Sequence, residues 1–415
     1  MPILFQSLKI ITDKEILEPA DYFFDSSSLQ SAPTDLPMEN MRIINCEGML
    51  GSAGWIDLRC FAGEPGEEYR ETIESLAEVL MQAGMTEAVL LPNTHPPIQS
   101  KNEVAYIQNK VKELFPTFHI QAAVTRNMRG EDLTEMLDLN HHGVNIFGEG
   151  LVPLSHSDRM MKALLYLQKC DGLLIDHSYD PLMALFGHMH EGIASTLMGM
   201  KGIPDIAEEA AVQKNLEILR YTGGRLHFQT ISTKGAIDQI RKAKAEGLKV
   251  TADVSIYQLL FTDDALQEFE TSLKVMPPFR GEAQQSALIE GLKDGTIDAL
   301  VSNHIPYDMD AKNQEFDLAP FGMAGLQTFV PSVVQLEKKL GYPLLISKLT
   351  KGPARVLGKK LAEFETLTIF DPDAEWTLNT KNNRSLSQNS PYWSNILKGK
   401  VKYLINRGKL IDIDE

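Results

Sequence analysis

Polar residues of catalytic type gather where short β-rich runs end. The chain shows Asp57-Leu58-Arg59-Cys60-Phe61, Asp176-His177-Ser178, His227-Phe228-Gln229-Thr230 and Ser302-Asn303-His304. Histidines and carboxylates so placed could ligate a metal or move a proton, and a cysteine could attack a carbonyl. Each group also has a plainer reading. His188-Met189-His190 has the spacing of a metal pair but follows a loop at Gly187, where exposed loop residues are expected. His141-His142 closes a helical pattern, where histidine interacts with the helix dipole at the surface. No histidine lies close to Cys60 in sequence, and a strand-end cysteine is usually packing. His227 and His304 read as hydrogen-bonded core residues as readily as ligands. Gly223-Gly224 reads as a helix stop, not a phosphate loop, because no helix opens immediately after it.

The elements that must position these residues repeat one theme. Eight β-rich runs, at 55–60, 88–92, 119–125, 144–147, 173–177, 226–231, 249–255 and 298–303, alternate with helical patterns. Ile73, Leu76, Leu80 and Ala83 recur at spacings of three and four, as do Val104, Ile107, Val111 and Leu114. Gly84, Gly143, Gly172, Gly247 and Gly295 each sit shortly before the next run, as helix stops do. Eight such units predict a parallel (β/α)8 TIM-type barrel over residues 51–364, with a doubly wound sheet as the alternative. Residues 1–50 and 365–415 carry short β-type runs instead, at 8–11, 41–44, 366–370, 376–378 and 401–406. The two ends are expected to meet as one small β-domain beside the barrel. In a barrel, chemistry belongs at the C-terminal ends of the strands, where the polar stretches above fall.

Composition bounds the setting. The 415 residues are 43% hydrophobic and 23% charged, an ordinary globular balance. A formal charge of −16 argues against wrapping nucleic acid or lying on an anionic membrane. Cys46, Cys60 and Cys170 are too few and too scattered for a disulfide framework or zinc knuckle. The first residues lack a basic start and a long apolar run, and no stretch reaches about 18 consecutive apolar residues. A cytoplasmic protein is expected.

Several motifs in order resemble those of dihydroorotases, in the cyclic amidohydrolase superfamily. Gly54-Trp55-Ile56-Asp57-Leu58-Arg59-Cys60-Phe61-Ala62-Gly63-Glu64-Pro65-Gly66 is similar to the family's G-x-I-D-x-H-V-H-x-R-E-P-G, and Pro92-Asn93-Thr94 follows as M-P-N-T does there. Gly148-Glu149-Gly150 stands for D-D-G, and His227 to Thr233 for H-x-x-H-x-S-T. Val250 to Val254, Pro277 to Arg280 and Asp298 to Tyr307 resemble V-T-A-E-V, the P-P-L-R of N-P-P-L-R and D-A-x-A-T-D-H-A-P-H. The loop Glu315 to Leu326 and the stretch Pro353 to Gly358 also have the family form. The resemblance covers roughly residues 40–410.

What it implies is a family scaffold without its chemistry. The metal-binding histidines of the first strand fall on Arg59 and Phe61, the ligand histidine of the sixth strand on Thr230, and the catalytic aspartate on Asn303. His177 alone matches a metal ligand, with Glu149 near a carboxylate position. Of the substrate-binding positions Asn93 stays, while the arginine, asparagine and histidine are Gly63, Met276 and Tyr307. No metal or other cofactor is expected on this reading. Zinc would be required only if a rebuilt site still hydrolysed a cyclic amide, since that reaction needs a metal-activated water. A buried cation at Arg59 needs partners. Either an Arg59–Glu149 ion pair fills part of the vacated site, or Arg59 points into solvent at the barrel mouth. Three functions are thereby expected in order. The first is a non-catalytic dihydroorotase homologue of pyrimidine biosynthesis, acting as a structural partner of an enzyme such as aspartate transcarbamoylase, or self-associating. The second is an active dihydroorotase with a rebuilt site. The third is a small-molecule binding protein using Asn93, Arg59, His177 and Tyr307.

Overall fold

Short buried strands alternating with amphipathic helices leave each strand's two faces to be covered, and a closed parallel barrel does this. The computed structural model describes residues 2–25, 27–33, 41–361 and 364–414. Its barrel strands are Trp55–Cys60, Met85–Leu90, Thr117–Ala122, Ile146–Gly148, Leu173–Asp176, Arg225–Phe228, Val250–Ser255 and Ala299–Val301. Neighbours pair in parallel in chain order. The first and eighth strands meet through a bridge between Cys60 and His304, where the Phe61 amide donates to the His304 carbonyl across 3.1 Å. Beside it the Ser302 amide and hydroxyl both donate to the buried Asp57 carboxylate.

All eight runs read from the sequence are strands, with ends that differ for local reasons. The sixth stops at Phe228 and the eighth at Val301, because Thr230 and Asn303 adopt φ of +51° and +49° and leave the extended ladder. The second stops before Pro92, which has no amide to donate. The first helix, Ile73–Gln82, is capped by Thr72 and Ser75 in a reciprocal box, and Gly84 at φ +80° turns the chain into the second strand. Ser100 and Glu103 cap Lys101–Val111 in the same way.

The termini build one sheet. Its order is Lys409–Asp412, Ile396–Asn406, Leu367–Thr377, Leu50–Ser52, Ile3–Ile10, Ala20–Phe24 and Leu29–Ser31, with Arg42–Asn45 pairing with Ile3–Ile10 off this path. The two ends of the chain join where Gly51 pairs with Ile369. The runs at 366–370 and 376–378 are parts of one strand, Leu367–Thr377, interrupted by irregular register. Trp55 stacks edge-on against Phe370, their centroids 5.6 Å apart, and so ties this sheet to the barrel. Among the described residues no helix is long and apolar enough to cross a membrane.

Candidate functional site at the barrel mouth

Arg59 lies near the end of the first strand, where the pairing with the second strand shifts register between Asp57 and Cys60. Arg59 is 1% exposed. Its Nε donates to Asn303 Oδ1 across 2.7 Å, and one terminal nitrogen donates to the Gly150 carbonyl across 3.2 Å and to Gln229 Oε1. The other lies 3.4 Å from His177 Nδ1. One side chain thereby joins the ends of the first, fourth, fifth, sixth and eighth strands. Burial lowers Arg59 to about 10, opposed by the charges of Asp253 and Asp57, so it stays a cation at neutral pH.

Neither expectation for Arg59 holds. It is buried, so it does not point into solvent, and among the described residues no carboxylate oxygen lies within 4.0 Å of it. Glu149 turns the other way. Its Oε1 accepts from the Thr125 amide and hydroxyl, both at 2.8 Å, while Oε2 has no partner among the described residues. The competing donor is local: Thr125 follows the third strand, next to the fourth, and both of its donors go to Oε1. Burial, and then the charge of Asp176, push Glu149 up to about 7.

The remaining positions divide into two groups. His177 and Asn303 meet at Arg59, and Asn303 also donates to the Met276 carbonyl across 3.2 Å. Burial and then the Arg59 charge hold His177 well below its usual range, so its ring is neutral. Thr230 follows Gln229 at the centre, where its amide donates to Asp253 Oδ1 across 2.6 Å and its hydroxyl has no partner among the described residues. Below it the buried His227 Nε2 and Asp253 Oδ2 are 2.8 Å apart. Positive φ at a β-branched residue such as Thr230 costs roughly 1–3 kcal/mol. The backbone turn at Thr230 is therefore held by its surroundings, whereas asparagine visits this region more readily.

The second group gathers around Phe61. Phe61, Leu91 and Ile305 form an apolar cluster with Leu151 and Tyr307. Arg70 is stacked between two rings, its guanidinium carbon 4.0 Å from the centre of Phe61 and 3.8 Å from that of Tyr307. Its Nε donates to the Pro306 carbonyl across 2.9 Å. Burial raises the Tyr307 phenol. Gly63 is buried, and a Cβ there would collide with the carbonyl of Glu67. The Asn93 amide is spent on the loop after the fourth strand, donating to Glu149 O at 3.1 Å and accepting from Leu151 N at 3.0 Å.

The donor set does not fit a divalent metal. A catalytic zinc takes three neutral or anionic protein ligands, and here a guanidinium stands among one histidine and two amides. Among the described residues no three His, Cys, Asp or Glu side chains are grouped to hold an ion. His188 and His190 are half-buried rather than exposed. Lys274 Nζ lies 3.3 Å from His188 and an Arg280 nitrogen 3.3 Å from His190, and cations so placed disfavour a metal. Cys60 is buried with its thiol on the Val89 carbonyl, and burial pushes the thiol well up, away from a nucleophile.

Gln229 and Arg70 belong to the site and were not singled out by sequence reasoning. Gln229 had a signal, since it directly follows a barrel strand, beside Thr230. Arg70 had none, because Pro306 and Tyr307, which hold it against Phe61, lie in the loop after the eighth strand, with Pro306 236 residues away.

The family model described as dihydro-orotase-like matches residues 49–236. A dihydroorotase of Caldanaerobacter subterraneus is 33% identical over 405 residues, covering 95% of this chain and 93% of that protein. A dihydroorotase of Syntrophotalea carbinolica is 33% identical over 97% of this chain and 98% of its own length. Among solved structures, the L-hydantoinase (dihydropyrimidinase) of Arthrobacter aurescens superposes with a TM-score of 0.84 at 19% identity, covering 99% and 96% of the two chains. The D-hydantoinase (dihydropyrimidinase) of a Thermus species gives 0.80 at 17% identity, covering 98% and 94%. At those identities the likeness is one of fold.

Proposed function

This chain belongs to the dihydroorotase family, and from that premise we propose that it is a non-catalytic member that serves pyrimidine biosynthesis as a structural partner of a pathway enzyme such as aspartate transcarbamoylase. One observation carries the reading. The Arg59 guanidinium stands at the centre of the strand ends, hydrogen-bonded to Asn303, Gln229 and the Gly150 carbonyl, with His177 against its edge. Ring opening of a cyclic amide calls for an activated water and a base to take its proton. Asn303 has no basic oxygen, Glu149 faces Thr125, and a buried cation repels a second one.

The test is an assay of the purified protein, supplied with zinc, for ring opening of dihydroorotate, with a chelator-treated sample as control. No chelator-sensitive turnover is expected. Turnover at ordinary enzyme rates would overturn the reading and make Glu149 and His177 parts of a rebuilt metal site. Binding of dihydroorotate without turnover would instead support a small-molecule binding protein. The partner role is checked separately, by sedimentation of the protein mixed with aspartate transcarbamoylase from the same genome, where a faster complex is expected.

A further inference from the structure

Three loops rise from the C-terminal ends of barrel strands: 177–204 after the fifth, 256–281 after the seventh and 302–326 after the eighth. All three carry large apolar side chains into solvent. Leu182, Phe186, Ile193 and Leu197 are each at least 73% exposed, Leu318 is 65% exposed and Phe269 43%. Exposed apolar residues scattered singly are ordinary; gathered on one face they mark a contact surface.

The loops form one connected surface. Lys274 Nζ donates to the carbonyls of Phe316 and Asp317 at 2.6 and 3.0 Å and touches His188. Lys312 Nζ donates to the Thr271 carbonyl across 2.8 Å and to that of Pro320 across 2.7 Å. The Arg280 guanidinium donates to the Ile203 carbonyl across 2.9 Å. The rings of Phe269 and Phe316 meet edge-on at 6.0 Å, and the helix Ile193–Leu197 packs against the turn Asp263–Leu266. The face is thus held rigid, which lowers the ordering cost of binding.

Its charge is one-sided. Lys274, Arg280 and Lys312 are buried and spent on these internal bonds. Glu191, Glu268, Glu270, Asp310, Glu315 and Asp317 are exposed on the same loops, and among their described residues Lys201 is the one exposed lysine or arginine. A second copy would bring the same acidic rim against this one, and like charges across an interface are disfavoured. A complementary partner has an apolar centre ringed by lysine and arginine. Next to these loops Ile305 and Tyr307 pack with Phe61 and Leu91 in an apolar cluster.

We propose that the acid-rimmed apolar face of loops 177–204, 256–281 and 302–326 is the docking surface for a protein partner with a basic-rimmed apolar patch. This rests on the structural-partner reading above and names the face that reading lacks. The test measures binding of purified aspartate transcarbamoylase from the same genome to the full chain, at roughly 50 and 500 mM NaCl. The variants are Phe186→Glu with Leu197→Glu, and Tyr221→Glu as a control on an exposed site at the far end of the helix Asp205–Thr222. Folding of each is checked by circular dichroism and melting. The expected result is equal binding by wild type and Tyr221→Glu, a loss of at least tenfold in the double variant, and several-fold weaker binding at high salt. Equal binding by the double variant would overturn the face and leave the partner reading standing. No binding by the wild type would overturn both. Binding indifferent to salt would overturn the basic-rimmed partner. A wild-type dimer abolished by the double variant would make the occupant a second copy and overturn the proposal.

Discussion

Arg59 Nε donates to Asn303 Oδ1 across 2.7 Å, linking the ends of the first and eighth barrel strands where the barrel closes. The amide accepts the cation while donating to the Met276 carbonyl, so both of its ends are used. An ionised aspartate there would have no donor for the Met276 carbonyl. The pair is self-consistent as a hydrogen-bonded unit.

Replacing Arg59 by methionine leaves Asn303 Oδ1, Gln229 Oε1 and the Gly150 carbonyl without their common donor. Buried polar groups stripped of partners are expensive. Arg59→Met should destabilise the fold by about 3 kcal/mol, read from denaturant unfolding. A loss well under 1 kcal/mol would mean that the guanidinium does not organise the strand ends.

Glu149 should make stability fall with rising pH. Burial raises its folded value to about 7 from an ordinary 4.5. Between those values the folded chain holds the proton that the unfolded chain has lost, so the stabilisation present at low pH disappears as pH rises through about 7. The full effect is of order 3 kcal/mol. Glu149→Gln should remove this slope, and unfolding free energies of the two proteins at several pH values would show parallel curves if it does not.

Gly63→Arg should not restore recognition of an acidic substrate, although it returns the family's residue. A Cβ at Gly63 meets the Glu67 carbonyl. Relieving that contact requires a backbone shift, at a cost of roughly 1–3 kcal/mol. Calorimetry with carbamoyl aspartate should detect no gain in binding, and the melting temperature should drop. A gain in affinity would show that the loop has room.

Lys274→Ala should loosen the closing loop without unfolding the barrel. The ammonium donates to the Phe316 and Asp317 carbonyls, and hydrogen bonds from charged groups contribute about 1.5–3 kcal/mol each. Amide exchange over residues 316–322 should accelerate at least tenfold, while the barrel strands keep their protection. Unchanged exchange would place the hold on the loop elsewhere.

Much of the architecture was legible in the sequence, because each strand and helix announces itself locally. The apolar spacing of Ile73, Leu76 and Leu80 needs no knowledge of the rest of the chain. Strand ends were less legible, since Thr230 and Asn303 leave their ladders through positive φ, which a β-branched threonine rarely adopts and which asparagine adopts without announcing it. His188 and His190 were misjudged as exposed because Lys274 and Arg280, which cover them, lie more than eighty residues away.

The sequence by itself determined the order of eight strand–helix units, the composite sheet of the two ends and which residue types stand at the family's ligand positions. Those follow from local periodicity and from motif order. Only the tertiary structure decided where Arg59 points, that Glu149 bonds Thr125 instead, and that Arg70 stacks between Phe61 and Tyr307. A buried cation takes whichever acceptors the fold brings within hydrogen-bond reach. Its acceptors here lie up to 244 residues from it along the chain, so no local pattern could choose among them.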